Sequence, residues 1–239
     1  MIPVTLRDWA PRFLLLLAVA WVLYLLEPGF HAHEAAAAGA LPAEELGPLG
    51  ISATLSYLAG IVMIVLLAGF VSTDRRHGYA QLYLSHPVRP LALYGLRWAI
   101  AGAAALLASL LFLVLGQVVA WGGFHGGWAG LLLPALSVLV YGGLMAFLST
   151  ALPRGDAWVA LALLLPTFFP DALVLLERGL NPAGYRILLF LLPPQWAYQE
   201  VYAGLLAGTP AWGAVAYVAG YGVFWLLLGA GLLRLRQWA

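Results

Sequence analysis

The chain has 239 residues, 64% hydrophobic and only 9% charged, whereas a soluble domain carries about 25% charged residues; a water-facing globule is therefore excluded, and so is intrinsic disorder, which needs low hydrophobicity and high net charge. The net charge is +1, all 11 basic residues are arginine, and none forms a run long enough to mark a nucleic-acid surface. Cysteine is absent, which removes disulfides, thiolate metal sites and cysteine nucleophiles.

A bilayer-spanning helix needs about 20 mostly apolar residues. Trp9–Pro28 is the first such stretch. Arg7 and Arg12 before the run Phe13–Leu26 also fit a signal peptide, but the small residues Ala35–Ala40 lie well beyond the end of that run. Retention as a helix is therefore expected. Gly29–Gly50, rich in Ala, Pro and Glu, reads as an irregular outer loop. Further spans are expected at Ser52–Val71, Leu91–Ala120, Trp128–Leu152, Ala157–Leu176 and Ala211–Leu233. Helices follow from continuous apolar runs, since barrel strands alternate over about ten residues and helices satisfy their own backbone in lipid. A seventh span within Tyr185–Leu206 is interrupted by Pro193 and Pro194, and a surface or re-entrant helical hairpin suits it better.

Arginine placement orients these spans. With the N-terminus inside, Arg7, Arg12, Arg75, Arg76, Arg89, Arg97, Arg154, Arg234 and Arg236 fall on the cytoplasmic side against Asp8, Asp74 and Asp156. The outer side holds only Arg178 and Arg186, against Glu27, Glu34, Glu44, Glu45, Asp171, Glu177 and Glu200. That is a strong positive-inside bias. The expectation is an all-α polytopic membrane protein of six transmembrane helices with both termini cytoplasmic. It forms one transmembrane domain over residues 1–239, with no soluble domain.

The connection after the second span reads Ser72-Thr73-Asp74-Arg75-Arg76-His77-Gly78-Tyr79-Ala80-Gln81-Leu82-Tyr83-Leu84-Ser85-His86-Pro87-Val88-Arg89-Pro90. Its pattern predicts a short helix, capped by Ser72, Thr73 or Asp74 and ended by Pro87. Tyr79, Leu82, Tyr83 and His86 share one face at helical spacing, although Leu84 spoils the opposite one. A solvated positive-inside loop has the same composition.

In this stretch the chain resembles the membrane subunits of type-two ATP-binding cassette (ABC) exporters. Those permeases have six spans and, between the second and third, an acidic-basic stretch, a Gly-Thr-like step, a short Leu-rich helix, a small residue, Pro and a basic residue. Asp74 through Gly78, then Leu82-Tyr83-Leu84-Ser85-His86-Pro87-Val88-Arg89, matches that order. Tyr79 stands where Thr or Ser is usual, and Gln81 where Glu is usual. The resemblance implies a coupling helix that docks in a groove on a separate ATPase subunit. Its implied contact residues are Asp74, Arg75, Arg76, His77, Gly78, Tyr79, Gln81, Leu82, Tyr83, Ser85, Pro87 and Arg89. It further implies two permease chains paired with two ATPase chains in the plasma (inner) membrane of a bacterium or archaeon. ATP and Mg would bind the partner, because a chain without lysine has no Gly-x-x-x-x-Gly-Lys phosphate loop. No cofactor or catalytic residue is expected on this chain.

Other polar residues carry weaker signals. Pro166, Pro170 and Asp171 in the fifth span, and Pro193 and Trp196 in the segment Asn181–Gly208, are candidates for translocation or an outer gate. Asp171 is close enough to the outer interface to be read as solvated. Trp196, Tyr198 and Tyr202 equally fit an interfacial anchor. His31 and His33, beside Glu34, and His125 in another loop have the chemistry of metal or haem ligands. They read as loop polar residues, and no metal site is assigned; a permease for haem, copper-site or cytochrome maturation is the alternative they would favour. A membrane scaffold or membrane-embedded enzyme is the alternative of another class. Gly213 and Gly220, then Gly222 and Gly229, are each seven apart and let a helix approach a neighbour closely, within the subunit or across a dimer.

Overall fold

A computed structural model of the chain describes residues 12, 15–25, 48–78, 89–168, 179 and 181–236. Among these residues every regular element is helical. We number them α1 (Leu15–Leu25), α2 (Ser52–Leu67), α3 (Ser72–Arg76), α4 (Pro90–Trp121), α5 (Leu132–Ala151), α6 (Asp156–Phe168), α7 (Pro182–Leu191), α8 (Gln195–Leu206) and α9 (Trp212–Arg236). Four stretches, Ser52–Arg76, Pro90–Val119, Trp128–Ala151 and Trp212–Leu235, are long and apolar enough to cross a membrane. They coincide with the second, third, fourth and sixth expected spans. The first and fifth are represented among the described residues by the shorter apolar helices α1 and α6.

Local chemistry sets the helix ends. Pro90, whose missing N–H costs nothing in the first turn, starts α4 after the extended Arg89. Gly122, at φ +73°, ends it by donating its N–H to the Val118 carbonyl. Gln117 braces the following turn: its Nε2 donates to the Gly126 carbonyl (3.0 Å) and its Oε1 accepts the His125 N–H (2.9 Å). Asn181 caps α7 by accepting the Gly184 N–H (2.7 Å). Pro193 and Pro194, which have no N–H to donate, separate α7 from α8. The segment thus forms two short helices and no single span. Pro166 lies inside α6, and the helix continues past it to Phe168.

Hydrogen bonds and close contacts fix the helix directions. Ser56 meets Ser137, and Val71 meets Ser149, so α2 and α5 run parallel. Gly222 lies against Leu139 and Gly229 against Ala146, so α9 runs parallel to α5. Arg97 reaches Phe70 while Leu113 packs with Ile51 and Leu55, which makes α4 antiparallel to α2. The core lies between α2 and α5: 72% of the apolar stretch of Ser52–Arg76 is buried, against 22% for that of Trp212–Leu235. Leu107, Leu111 and Leu115 on α4 and Phe224 and Leu227 on α9 are exposed, as helix faces turned to lipid require.

Glycine sets the closest approach. A Cβ on Gly143 would collide with the Gly222 carbonyl, and one on Gly222 would lie 2.6 Å from the Leu139 backbone. The second glycine pair of α9 thus packs within the subunit. Gly213 and Gly220 have open space around them.

Candidate functional site at the arginine end

The parallel course of α2 and α5, opposed by α4, gathers Arg12, Arg75, Arg76, Arg89, Arg97, Arg154 and Arg234 at one end of the bundle. At that end the chain leaves α2 by a sharp elbow, Ala68–Val71, before entering α3. Gly69 is required there twice over. Its φ is +72°, and a Cβ would meet the Thr73 hydroxyl.

Breaking a helix frees backbone groups that must find partners away from water. Arg12 donates through Nη1 to the carbonyls of Val65 (3.1 Å), Leu66 (3.2 Å) and Ala68 (3.3 Å), closing the end of α2. Arg97 of α4 donates to the Phe70 carbonyl (3.2 Å). The Ser149 hydroxyl of α5 accepts both the Val71 and Ser72 N–H groups, each at 3.1 Å. Asp156, at the start of α6, accepts the Gly69 N–H (3.0 Å) and the Ser72 hydroxyl (3.2 Å) on one carboxylate oxygen. Its other oxygen accepts the Ala157 N–H (2.9 Å).

The sequence expectation of a cap from Ser72, Thr73 or Asp74 is therefore corrected. Val71 is the N-cap of α3 and makes no side-chain cap. The free N–H groups are taken by Ser149 and Asp156, residues distant in sequence, so a local pattern could not have shown them.

The elbow divides the expected coupling residues. Asp74 is buried and turned inward, where its carboxylate accepts from Arg97 (2.7 Å) and from the Tyr94 hydroxyl (3.3 Å). The Arg97 guanidinium also lies 5.8 Å from the centre of the Tyr94 ring, within cation–π range. Arg75 donates to the Thr150 carbonyl (2.8 Å). Arg76 and His77 are exposed, and Gly78, at φ +73°, turns the chain out of α3. Arg89 is exposed beside the start of α4. Tyr79, Gln81, Leu82, Tyr83, Ser85 and Pro87 lie outside the described residues, as do Pro170, Asp171, His31 and His33.

Between α7 and α8, Pro193 is buried, and in the first turn of α8 Trp196 is exposed, its ring 5.1 Å from that of Tyr217. Of the three aromatic residues read as one anchor, only Trp196 faces out so openly. Tyr198 is buried and joins Ser137 (3.3 Å), which meets Ser56 at 2.6 Å. Tyr202 donates to the Gly50 carbonyl (3.3 Å). The α7–α8 break lies deep in the bundle: Tyr221 donates to the Leu191 carbonyl (2.7 Å). That tyrosine is some nine residues into α9, about 14 Å along the axis at 1.5 Å per residue.

Among the described residues no group of His, Asp and Glu is arranged to hold a metal ion. Sequence reasoning counted Arg12, Arg97 and Asp156 only as charges on one side, and it missed Ser149 and Tyr94. The usable signal was position: each is a polar residue within a turn or two of a span end, where a broken helix needs partners. Comparison with protein-family models, with curated proteins and with solved structures gives no match. What stands is a membrane protein whose described residues are helical throughout their regular structure, with four helices among them long and apolar enough to cross a membrane and a polar, arginine-rich elbow at one end.

Proposed function

We propose that the chain is the permease subunit of an ABC exporter. It couples ATP hydrolysis on a separate ATPase subunit to movement of a substrate across the plasma membrane of a bacterium or archaeon. The observation that carries this reading is the elbow after α2. A short helix there ends in the exposed Arg76 and His77 at the arginine end, within the stretch Asp74–Arg89 that carries the family resemblance. A permease driven from outside needs such a tip, exposed enough to be pushed and tied firmly enough to its spans to move them.

In this scheme two permease chains pair with two ATPase chains, which bind ATP and Mg because this lysine-free chain has no phosphate loop. Phosphoryl transfer happens on the partner, and closure of the ATPases tips the permeases between inward- and outward-facing states. Asp74 acts inside this machine as a brace for α3, through Arg97, and does not reach the partner. An apolar groove of about 450 Å³ between α1 and α4, lined by Leu16, Trp21, Leu58, Phe112 and Leu115, supports a lipid-like or amphipathic cargo.

The test is affinity capture of the tagged chain in mild detergent, with mass spectrometry of what accompanies it. A stoichiometric ATPase of about 25–35 kDa, the size of a one-domain partner, is expected. A chain that comes down alone, under conditions that preserve other membrane complexes, overturns the reading in favour of a scaffold or membrane-embedded enzyme.

A further inference from the structure

We infer that Asp156 is the positioning residue that makes α6 move together with the coupling elbow; this rests on the permease reading above. One carboxylate oxygen belongs to each side of the joint. One accepts from the Ala157 N–H at the start of α6, and the other accepts from Gly69 and Ser72 of the elbow. The residue is 5% exposed, and these three partners are neutral donors. A buried carboxylate loses more than an ordinary group when its donors leave, since hydrogen bonds to a charged acceptor are the stronger ones. Sliding the elbow away from α6 would strip two donors from that carboxylate at once and leave the Gly69 N–H without its acceptor. The elbow and α6 therefore travel as one piece.

Ser149 does the same for α5 with a neutral hydroxyl, and Arg12 ties in the segment before α1. Asp156 differs in being the one charged acceptor among these three clamps. It also opens its own helix, following the left-handed Gly155 (φ +80°). A push on Arg76–Gly78 thus meets the start of α6 at this side chain, beside the apolar packing of Ala160 and Leu164 in the shared core. Arg154, exposed and two residues away, is not needed for the joint.

The absence of cysteine makes the test direct. Trp158→Cys, at a position 77% exposed on α6, takes an environment-sensitive fluorescent label. The full chain, captured with its ATPase in lipid nanodiscs, is trapped with ATP and vanadate. Trapping shifts the label's emission in the parent; with Asp156→Ala the shift falls about tenfold, the scale set by losing hydrogen bonds to a charged acceptor, while the ATPase stays bound in the same ratio. Asp156→Asn is neutral and keeps one acceptor oxygen, so it can serve only one side of the joint and should also lower the shift, by a smaller factor than Asp156→Ala. If Asp156→Ala does not assemble, Ser72→Ala, which removes one of the two elbow donors, must lower the shift by a smaller factor. A response equal to the parent's in Asp156→Ala, or in Ser72→Ala where the first variant fails, overturns the inference and leaves the permease reading standing. So does a parent whose label is silent on trapping although the ATPase is bound. A parent that captures no ATPase overturns the reading itself, and the inference falls with it.

Discussion

Asp74 and Arg97 form an ion pair that stays partly accessible, with side chains 11% and 20% exposed, and this sets what their substitution does. Removing one partner of a fully buried pair costs about 3–5 kcal/mol; partial exposure brings the expected cost of Arg97→Ala to about 2 kcal/mol. Adding Asp74→Asn removes the stranded charge and recovers part of that loss, which thermal unfolding in detergent will read. A double variant no more stable than Arg97→Ala would rule out the pair as the cause. Gln117 makes a different case. In sequence it is one of few polar groups in a span, and a pore-lining amide and a structural brace look alike there. In the fold both ends of the amide are used on the Gly122–Gly127 turn. Gln117→Leu should therefore speed hydrogen exchange at the His125 amide about tenfold, the effect of losing one hydrogen bond; unchanged exchange would show that the turn stands without it.

At the scale of elements, the glycines of α9 show how far a pattern can be read. Spacing of seven marks a close approach but does not name the neighbour, because i and i+7 share a face whatever that face meets. Gly222 and Gly229 meet α5 of the same chain, whereas Gly213 and Gly220 meet open space. Gly222→Ala should accordingly separate α5 from α9 and cost about 1–3 kcal/mol by overpacking. Gly220→Ala should be neutral or stabilise by up to about 1 kcal/mol through helix propensity. Detergent-resistance melting curves separate the two, and equal losses would mean that the α5–α9 contact is not the tight one. The α7–α8 break was legible for a firmer reason, since two adjacent prolines cannot donate to a continuing helix. The elbow after α2 was only half legible. Gly69 and the polar run from Ser72 announce a change, but the caps come from Arg12, Ser149 and Asp156, whose distance in sequence hides them from any local rule.

At the scale of the whole molecule, the apolar runs foretold the four helices long enough to cross a membrane among the described residues, and the arginines bear on their orientation. Residues that the sequence assigns to one side gather at one end of the bundle: Arg12 holds the end of α2, Arg97 lies on the elbow, and Asp156 reaches back to Gly69. His77 and Arg154 are exposed at that end, whereas Gly123 and Thr209 follow the far ends of α4 and α8. With positive residues facing the cytoplasm, a cysteine at His77 or Arg154 should react with a membrane-impermeant maleimide in inverted vesicles and resist it in intact cells. A cysteine at Gly123 or Thr209 should show the reverse. The background is clean because the chain has no cysteine of its own. Labelling of His77→Cys and Arg154→Cys from outside would place the elbow away from ATP, and no cytoplasmic ATPase could then drive it. Labelling of the pair from opposite sides would break the parallel course of α2 and α5 argued from the Ser56–Ser137 and Val71–Ser149 contacts. Only the pattern with both on the inside keeps the fold and the proposed coupling together.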